Sequence, residues 1–177
     1  GWCYPWTVPM LNGRTICLRN INIKKIFELI EKYNVTHFGG APIVLNMITG
    51  APESDRKILK NKVYVLTAGA PPPSIIFKKM KNLGFEVMHV YGLTETYGHV
   101  TQCAWNDSWN EYDEEKQNEI KARQGVRYPN TEGVTIMNPD TMTEVPKDGK
   151  TIGEIMIRGN VVTVSYTHLT LPTNREV

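Results

Sequence analysis

YGLTET, at Tyr91 to Thr96, and TAGAPPP, at Thr67 to Pro73, are the stretches that decide the fold. Each closes a short apolar segment. Val87-Met88-His89-Val90 runs into the first, and the β-branched run from Val63 to Leu66 runs into the second. Both segments read as strands, and the second as a buried parallel strand feeding a tight loop. Between them Pro73 to Leu83 carries Ile76, Met80 and Leu83 on one helical face, with Lys78, Lys79 and Lys81 outside, and Gly84 is placed to end it. Strand, helix and strand at this spacing imply a right-handed crossover and a parallel sheet, so the fold class is α/β.

YGLTET reads as a site. Gly92 lets the backbone turn without a Cβ penalty. Thr94 offers a hydroxyl. Glu95 brings a negative charge to the carboxyl end of a strand, where open α/β sheets bind ligands. A hydroxyl beside a carboxylate suits a phosphate and its Mg²⁺. The same Glu95 also fits a solvated carboxylate at a helix start, held there by the helix dipole.

With TAGAPPP before it, YGLTET resembles the core of the adenylate-forming superfamily, which includes acyl-CoA synthetases, peptide-synthetase adenylation domains and luciferases. GWCYPW at Gly1 to Trp6 is similar to the stretch after that family's acyl-site histidine. GEIMIRGNVV at Gly153 to Val162 is similar to its glycine-bounded strand motif. Four motifs in the family's order are far more specific than any one of them. GWCYPW and YGHVTQCAWNDSW point to the branch of short- and medium-chain acyl-CoA synthetases. The resemblance covers Gly1 to about Val162.

It implies an incomplete large N-terminal domain over 1–124, with parallel strands and crossover helices, and a small β subdomain over 125–162. It also implies ATP, Mg²⁺ and coenzyme A as partners of a small carboxylic acid. Thr94 would touch phosphate and Glu95 the Mg²⁺. Gly69, Ala70, Pro71, Tyr91 and Gly92 would surround the adenine, since a flat base needs a wall poor in side chains. Gly39, Gly40 and His99 are weaker acyl-side candidates. For Gly39 and Gly40 the other reading is a tight turn; for His99 it is packing or hydrogen bonding. An adenylation domain or luciferase-like enzyme with another acceptor is an alternative, as is a non-catalytic nucleotide-binding module. A dehydrogenase is disfavoured, because no G-x-G-x-x-G follows a strand.

The totals fit one globular domain: 177 residues, 41% hydrophobic and 21% charged. A net charge of +2 with scattered lysines gives no pull toward nucleic acid or membrane. Cys3, Cys17 and Cys103 have no metal-type spacing and read as reduced thiols. The expected location is cytoplasmic, with a peroxisomal one left open.

Elsewhere, Trp2, Tyr4 and Trp6 alternate, and Trp6 reads as core. Thr15 to Leu18 and Val35 to Phe38 read as short strands. Asn20 or Asn22 caps a helix with Ile23, Ile26, Phe27 and Ile30 on one face. His37 reads as structural. Pro42 opens a helix whose apolar surface is Ile43, Leu45, Met47 and Ile48. Asp113 to Gln124 is a polar helix, its acidic start favoured by the dipole. Gly133 to Met137 and Gly153 to Arg158 are strands, with turns at Asn138 and near Asp148. VSYTHLTLPTNREV, from Val164, resembles adaptor read-through, so 163–177 is expected to be non-native. The start within a motif reads as a fragment. The family's phosphate loop, ribose-binding aspartate and lid lysine are not in these residues, and the 177 residues alone are expected to be inactive.

Overall fold

The computed structural model describes residues 4–163. Five strands form one sheet: β1 (His37–Gly39), β2 (Val63–Thr67), β3 (Phe85–Leu93), β4 (Gly98–Gln102) and β5 (Val126–Arg127), in that spatial order. The first three are parallel, and β4 and β5 are antiparallel to their neighbours. Helix α1 (Tyr4–Met10) comes first in the chain, and α2 (Ile23–Tyr33) precedes β1. Helices α3 (Pro42–Gly50) and α4 (Ser74–Asn82) are the two crossovers. Helix α5 (Glu114–Lys121) follows β4, and β6 (Gly133–Met137) pairs with β7 (Glu154–Arg158) as a separate antiparallel ladder.

The core lies on one face of the sheet. Ile26, Phe27 and Ile30 of α2, Leu45 and Ile48 of α3, and Ile76, Phe77 and Met80 of α4 pack on Val63, Val65, Phe85 and Val87. The Phe27 and Phe85 rings meet at 5.9 Å, tilted by 60°. Along β2 burial alternates, so Tyr64 on the opposite face is 50% exposed.

Local chemistry sets the ends of α2. The Asn22 side chain accepts from the Lys25 amide at 2.8 Å. Asn34 closes the helix in the left-handed region (φ 49°), and the Val35 amide returns to Ile30 O at 3.0 Å. That bond corrects the expected strand: Val35 belongs to the helix cap, and pairing starts at His37. Thr15 to Leu18 forms no strand, since it finds no ladder partner among the described residues. Trp6 is not core but 67% exposed on α1, which buries no residue. On α3 the buried positions are Val44, Leu45, Ile48 and Thr49, while Ile43 and Met47 face outward. His37 is exposed; it bonds the Thr36 hydroxyl and stacks on Tyr64 at 5.4 Å.

The sheet grips α5 by its last carbonyls, which a helix leaves unpaired. Fully buried His89 bonds Ala122 O through Nδ1 at 3.0 Å, and an acceptor-only carbonyl places the proton on Nδ1. Cys103 Sγ donates to Ile120 O at 3.2 Å. At the other end the Asp113 carboxylate accepts from the Lys116 amide at 2.7 Å, and Glu114 pairs with Lys78 of α4 at 2.8 Å. Strand β5 lengthens the first sheet past Gly125, and the separate ladder begins at Gly133. Residues 164–177, the greater part of the proposed non-native tail, lie outside the described residues, as do Gly1, Trp2 and Cys3.

Removing the Phe27 ring opens a cavity between α2 and β3. Phe27→Ala is expected to lower unfolding free energy by about 3–5 kcal/mol. Asn22→Ala, which removes only a cap, is expected to cost about 1 kcal/mol. Urea titrations of both variants beside the parent chain check the ranking, and equal losses would contradict it.

Candidate functional site

Parallel pairing puts the carboxyl ends of β1, β2 and β3 side by side. Gly39 pairs with Leu66, and Thr67 pairs with His89. The candidates therefore gather along one rim: Gly39 at the end of β1 and Gly40 after it, Gly69 to Pro71 after β2, Tyr91 to Glu95 at the end of β3, and His99 opposite Gly92 on β4. Strand β3 continues from His89 to Leu93 past the last β2 pair, so Tyr91 and Gly92 stand beyond the end of β2.

Loop 68–73 is mostly open to solvent, with Gly69, Ala70 and Pro71 exposed and Pro72 buried. Gly69 has φ +95° with open space where a Cβ would point, so its backbone conformation, and not crowding, asks for glycine. A Cβ on Gly39 would likewise meet nothing, whereas one on Gly40 would touch the Phe38 ring at 3.0 Å. Gly40 is tied to β2 by its amide, 3.1 Å from Leu66 O.

Gly92 is needed for a different reason from the free turning read in the sequence. The β3–β4 register shifts between Tyr91 and Gly92, and the bulge brings the hairpin backbones together. A Cβ at Gly92 would run into Gly98 O. Thr94–Thr96 then forms one 3-10 turn, ended by Tyr97 in the left-handed region at φ 57°. A non-glycine residue there costs energy and persists where its surroundings enforce it.

The turn holds its backbone and leaves two candidate side chains free. Thr96 is 3% exposed. Its hydroxyl oxygen accepts from the Leu93 amide at 3.0 Å. Its proton goes toward Gly98 O at 2.7 Å, with Leu93 O at 3.0 Å as the other acceptor. The Glu95 carbonyl accepts from the Thr163 amide at 2.7 Å, which ties the segment after β7 to the turn. The half-buried Glu95 carboxylate and the exposed Thr94 hydroxyl have no side-chain partner among the described residues. Thr96 and Thr163 were not picked out from the sequence. A threonine inside YGLTET was visible there, but nothing in one chain marks a hydroxyl as bonded to backbone.

His99 stands apart from the other acyl-side candidates. It pairs with Gly92 on β4, three strand positions from β1. At about 4.8 Å per step that is about 14 Å across the sheet from Gly39. Its ring meets Tyr128 edge-on at 4.2 Å. Burial holds its pKa below the usual 6.5, so the ring is neutral at pH 7. A shallow cleft of about 570 Å³ between Ile21 to Ile23 and Asn46 to Asp55 contains none of the candidates.

No set of three or more His, Cys, Asp or Glu side chains among the described residues can hold a metal by itself. One unpartnered carboxylate beside a hydroxyl is too small a set to hold Mg²⁺ alone, since Mg²⁺ takes one or two carboxylates plus waters and substrate oxygens.

The architecture defines an α/β protein whose candidate ligand-binding rim lies at the carboxyl ends of parallel strands. The match to the AMP-binding enzyme model over residues 1–167 makes the chain a member of that family. It is 49% identical over 168 residues to the peroxisomal acetate/butyrate–CoA ligase of Arabidopsis thaliana, and equally so to an acetate–CoA ligase of Humulus lupulus. Each match covers 94% of this chain and 29% of the relative, so the chain spans less than a third of these proteins. Unliganded O-succinylbenzoate coenzyme A synthetase from Bacillus subtilis superposes with a TM-score of 0.67 at 18% identity, over 90% of this chain and 31% of that one. The luciferase-like enzyme of Zophobas morio gives 0.63 at 23% identity, over 85% and 34%. At those identities the structures speak for the fold. No helix among the described residues is long and apolar enough to cross a membrane.

Two outcomes follow. Gly92→Ala has no room for its methyl and is expected to destabilise the chain by about 2–4 kcal/mol in urea. An unchanged midpoint would contradict the hairpin contact. His99 is expected to titrate below 6.5 in a ring-proton NMR series. A lowered histidine pKa means the folded state resists protonation, so stability falls as pH drops below 6.5. A midpoint at or above 6.5 would show that the ring is not desolvated.

Proposed function

We infer that the protein to which this chain belongs activates a small carboxylic acid. Carboxylate and ATP give an acyl-adenylate and pyrophosphate. The thiol of coenzyme A then displaces AMP and leaves a thioester. The observation that carries this reading is the free Glu95 carboxylate and Thr94 hydroxyl on a pinned turn, beside two glycine-bearing loops on the same rim. The family match and the CoA ligases at 49% identity support it. Short aliphatic acids are the favoured substrates: relatives are named for acetate, acetate/butyrate and, at 43% identity, 2-methylpropanoate.

Each group has a separate task. Glu95 offers oxygen to the Mg²⁺ that accompanies ATP, and Mg²⁺ supplies charge neutralisation on the phosphates. Thr94 donates its hydroxyl proton to a phosphate oxygen. Gly69, Ala70 and Pro71 give the adenine a wall of backbone and small side chains, with Tyr91 and Gly92 beside it. Gly39 and Gly40 leave volume for the acyl chain. His99, neutral and packed on Tyr128, supports the hairpin. The acid needs no general base, being ionised at neutral pH. Catalysis is then positioning and electrostatic stabilisation of charge on the transferring phosphate.

The test uses the full-length enzyme that contains this sequence, with acid-dependent pyrophosphate release as readout. Acetate or butyrate is expected to drive release, and Glu95→Gln to cut kcat by about 10²–10³-fold. Release that no carboxylic acid stimulates, or a Glu95→Gln variant at full rate, would overturn the reading.

A further inference from the structure

We propose that Thr96 is a positioning residue whose buried hydroxyl, acting through the backbone of the turn, sets the Thr94 hydroxyl and the Glu95 carboxylate for MgATP. The inference rests on the function inferred for Thr94 and Glu95, and goes beyond it in giving a role to a side chain that cannot itself reach a ligand.

Thr96 follows the two proposed ligand-facing residues directly and is 3% exposed, so it contacts no phosphate. Its hydroxyl joins both sides of the hairpin. It accepts from the Leu93 amide at 3.0 Å, before the turn, and donates toward Gly98 O at 2.7 Å, after it. Gly98 O is the same atom that leaves no room for a Cβ on Gly92, so the hydroxyl and the bulge are parts of one packed junction. Between these anchors Tyr97 sits at φ 57° and its amide bonds Thr94 O at 3.2 Å. A left-handed tyrosine stays in place only if both flanks are held. A second hold acts on the middle residue: the Thr163 amide, within the span 1–167 that the family model matches, bonds Glu95 O at 2.7 Å. The backbone of Leu93 to Gly98 is therefore fixed at its entry, middle and exit.

The consequence is a division of labour within three residues. Thr94 and Glu95 keep unsatisfied oxygens for a ligand because Thr96 satisfies the backbone around them. Losing the hydroxyl removes the Thr96 acceptor from the part-buried bond of the Leu93 amide and releases the exit at Gly98. A carboxylate displaced by about 1 Å costs on the order of 10²-fold in rate when catalysis is positioning.

The experiment compares Thr96→Val, which keeps shape and loses the hydroxyl, with Thr96→Ser, which keeps it, in the full-length enzyme. Thr96→Val is expected to lower kcat by about 10- to 100-fold and to raise half-saturating Mg²⁺ severalfold, with KM for the acid within about twofold. Thr96→Ser is expected to restore both. Amide hydrogen exchange gives a readout independent of turnover: Leu93 should exchange about tenfold faster in Thr96→Val and stay protected in Thr96→Ser. If Thr96→Val does not fold, Thr96→Cys, with its weak acceptor sulfur, takes its place in the contrast. Unchanged turnover, Mg²⁺ response and Leu93 exchange in the hydroxyl-free variant would overturn the proposal. A parent enzyme that no acid drives to release pyrophosphate would instead sink the ligase reading. Leu93 exchange would then decide the pin alone: protection lost in Thr96→Val and kept in Thr96→Ser supports it, and protection kept in both overturns it.

Discussion

The parallel register of β1, β2 and β3 is the constraint on which the rest depends. Gly39 beside Leu66 and Thr67 beside His89 bring three consecutive strand ends to one rim. Two crossover helices are needed for that, and their apolar faces make the core with Phe27, Leu45 and Met80. A slip of one residue would turn Val63, Val65, Phe85 and Val87 outward and bring Tyr64 and Glu86 into the core. The register that buries the apolar set is thus the register that places the glycine loops and the YGLTET turn beside one another. Folding and site assembly are the same event here.

The parallel half of this was legible because its signals are local. Val63 to Leu66, the face of Ile76 and Met80, and Asn22 before Ile23 each carry their own periodicity or capping chemistry. The antiparallel edge of this same sheet was not, although Gly133 to Met137 and Gly153 to Arg158, which form the separate ladder, read as strands. Strand β4 begins two residues after the Thr94–Thr96 turn, and its pairing depends on Gly92 admitting Gly98 O, a contact no spacing rule reveals. Nor does a sequence say that the Val35 amide returns to Ile30, which moves the start of β1. Trp6 shows the converse error: an aromatic in an alternating run reads as core, yet α1 buries none of its residues. For the site, residue types pointed to Thr94 and Glu95 because hydroxyl and carboxylate carry chemistry. Thr96, of the same type as Thr94, was indistinguishable until its burial and its three backbone partners were known.

The uneven burial around the sheet bears on how the rim is completed. Parallel sheets are ordinarily covered on both faces. Here helices cover one, while Tyr64 at 50% and Met88 at 41% exposure leave the other partly open. Relatives at 49% identity are more than three times as long as this chain, since it spans 29% of each. A rim of backbone loops and two free oxygens cannot by itself exclude water, and fixed dipoles are worth most where water is excluded. The free, half-buried Glu95 and the open Gly39 therefore describe one wall of a site. What this wall contributes is rigidity. Its two candidate groups, Thr94 and Glu95, lie between a bulge at Gly92 and a threonine that faces inward, with a left-handed tyrosine after it. The bulge and the threonine meet at one atom, Gly98 O, and the tyrosine lies in the chain between that threonine and Gly98.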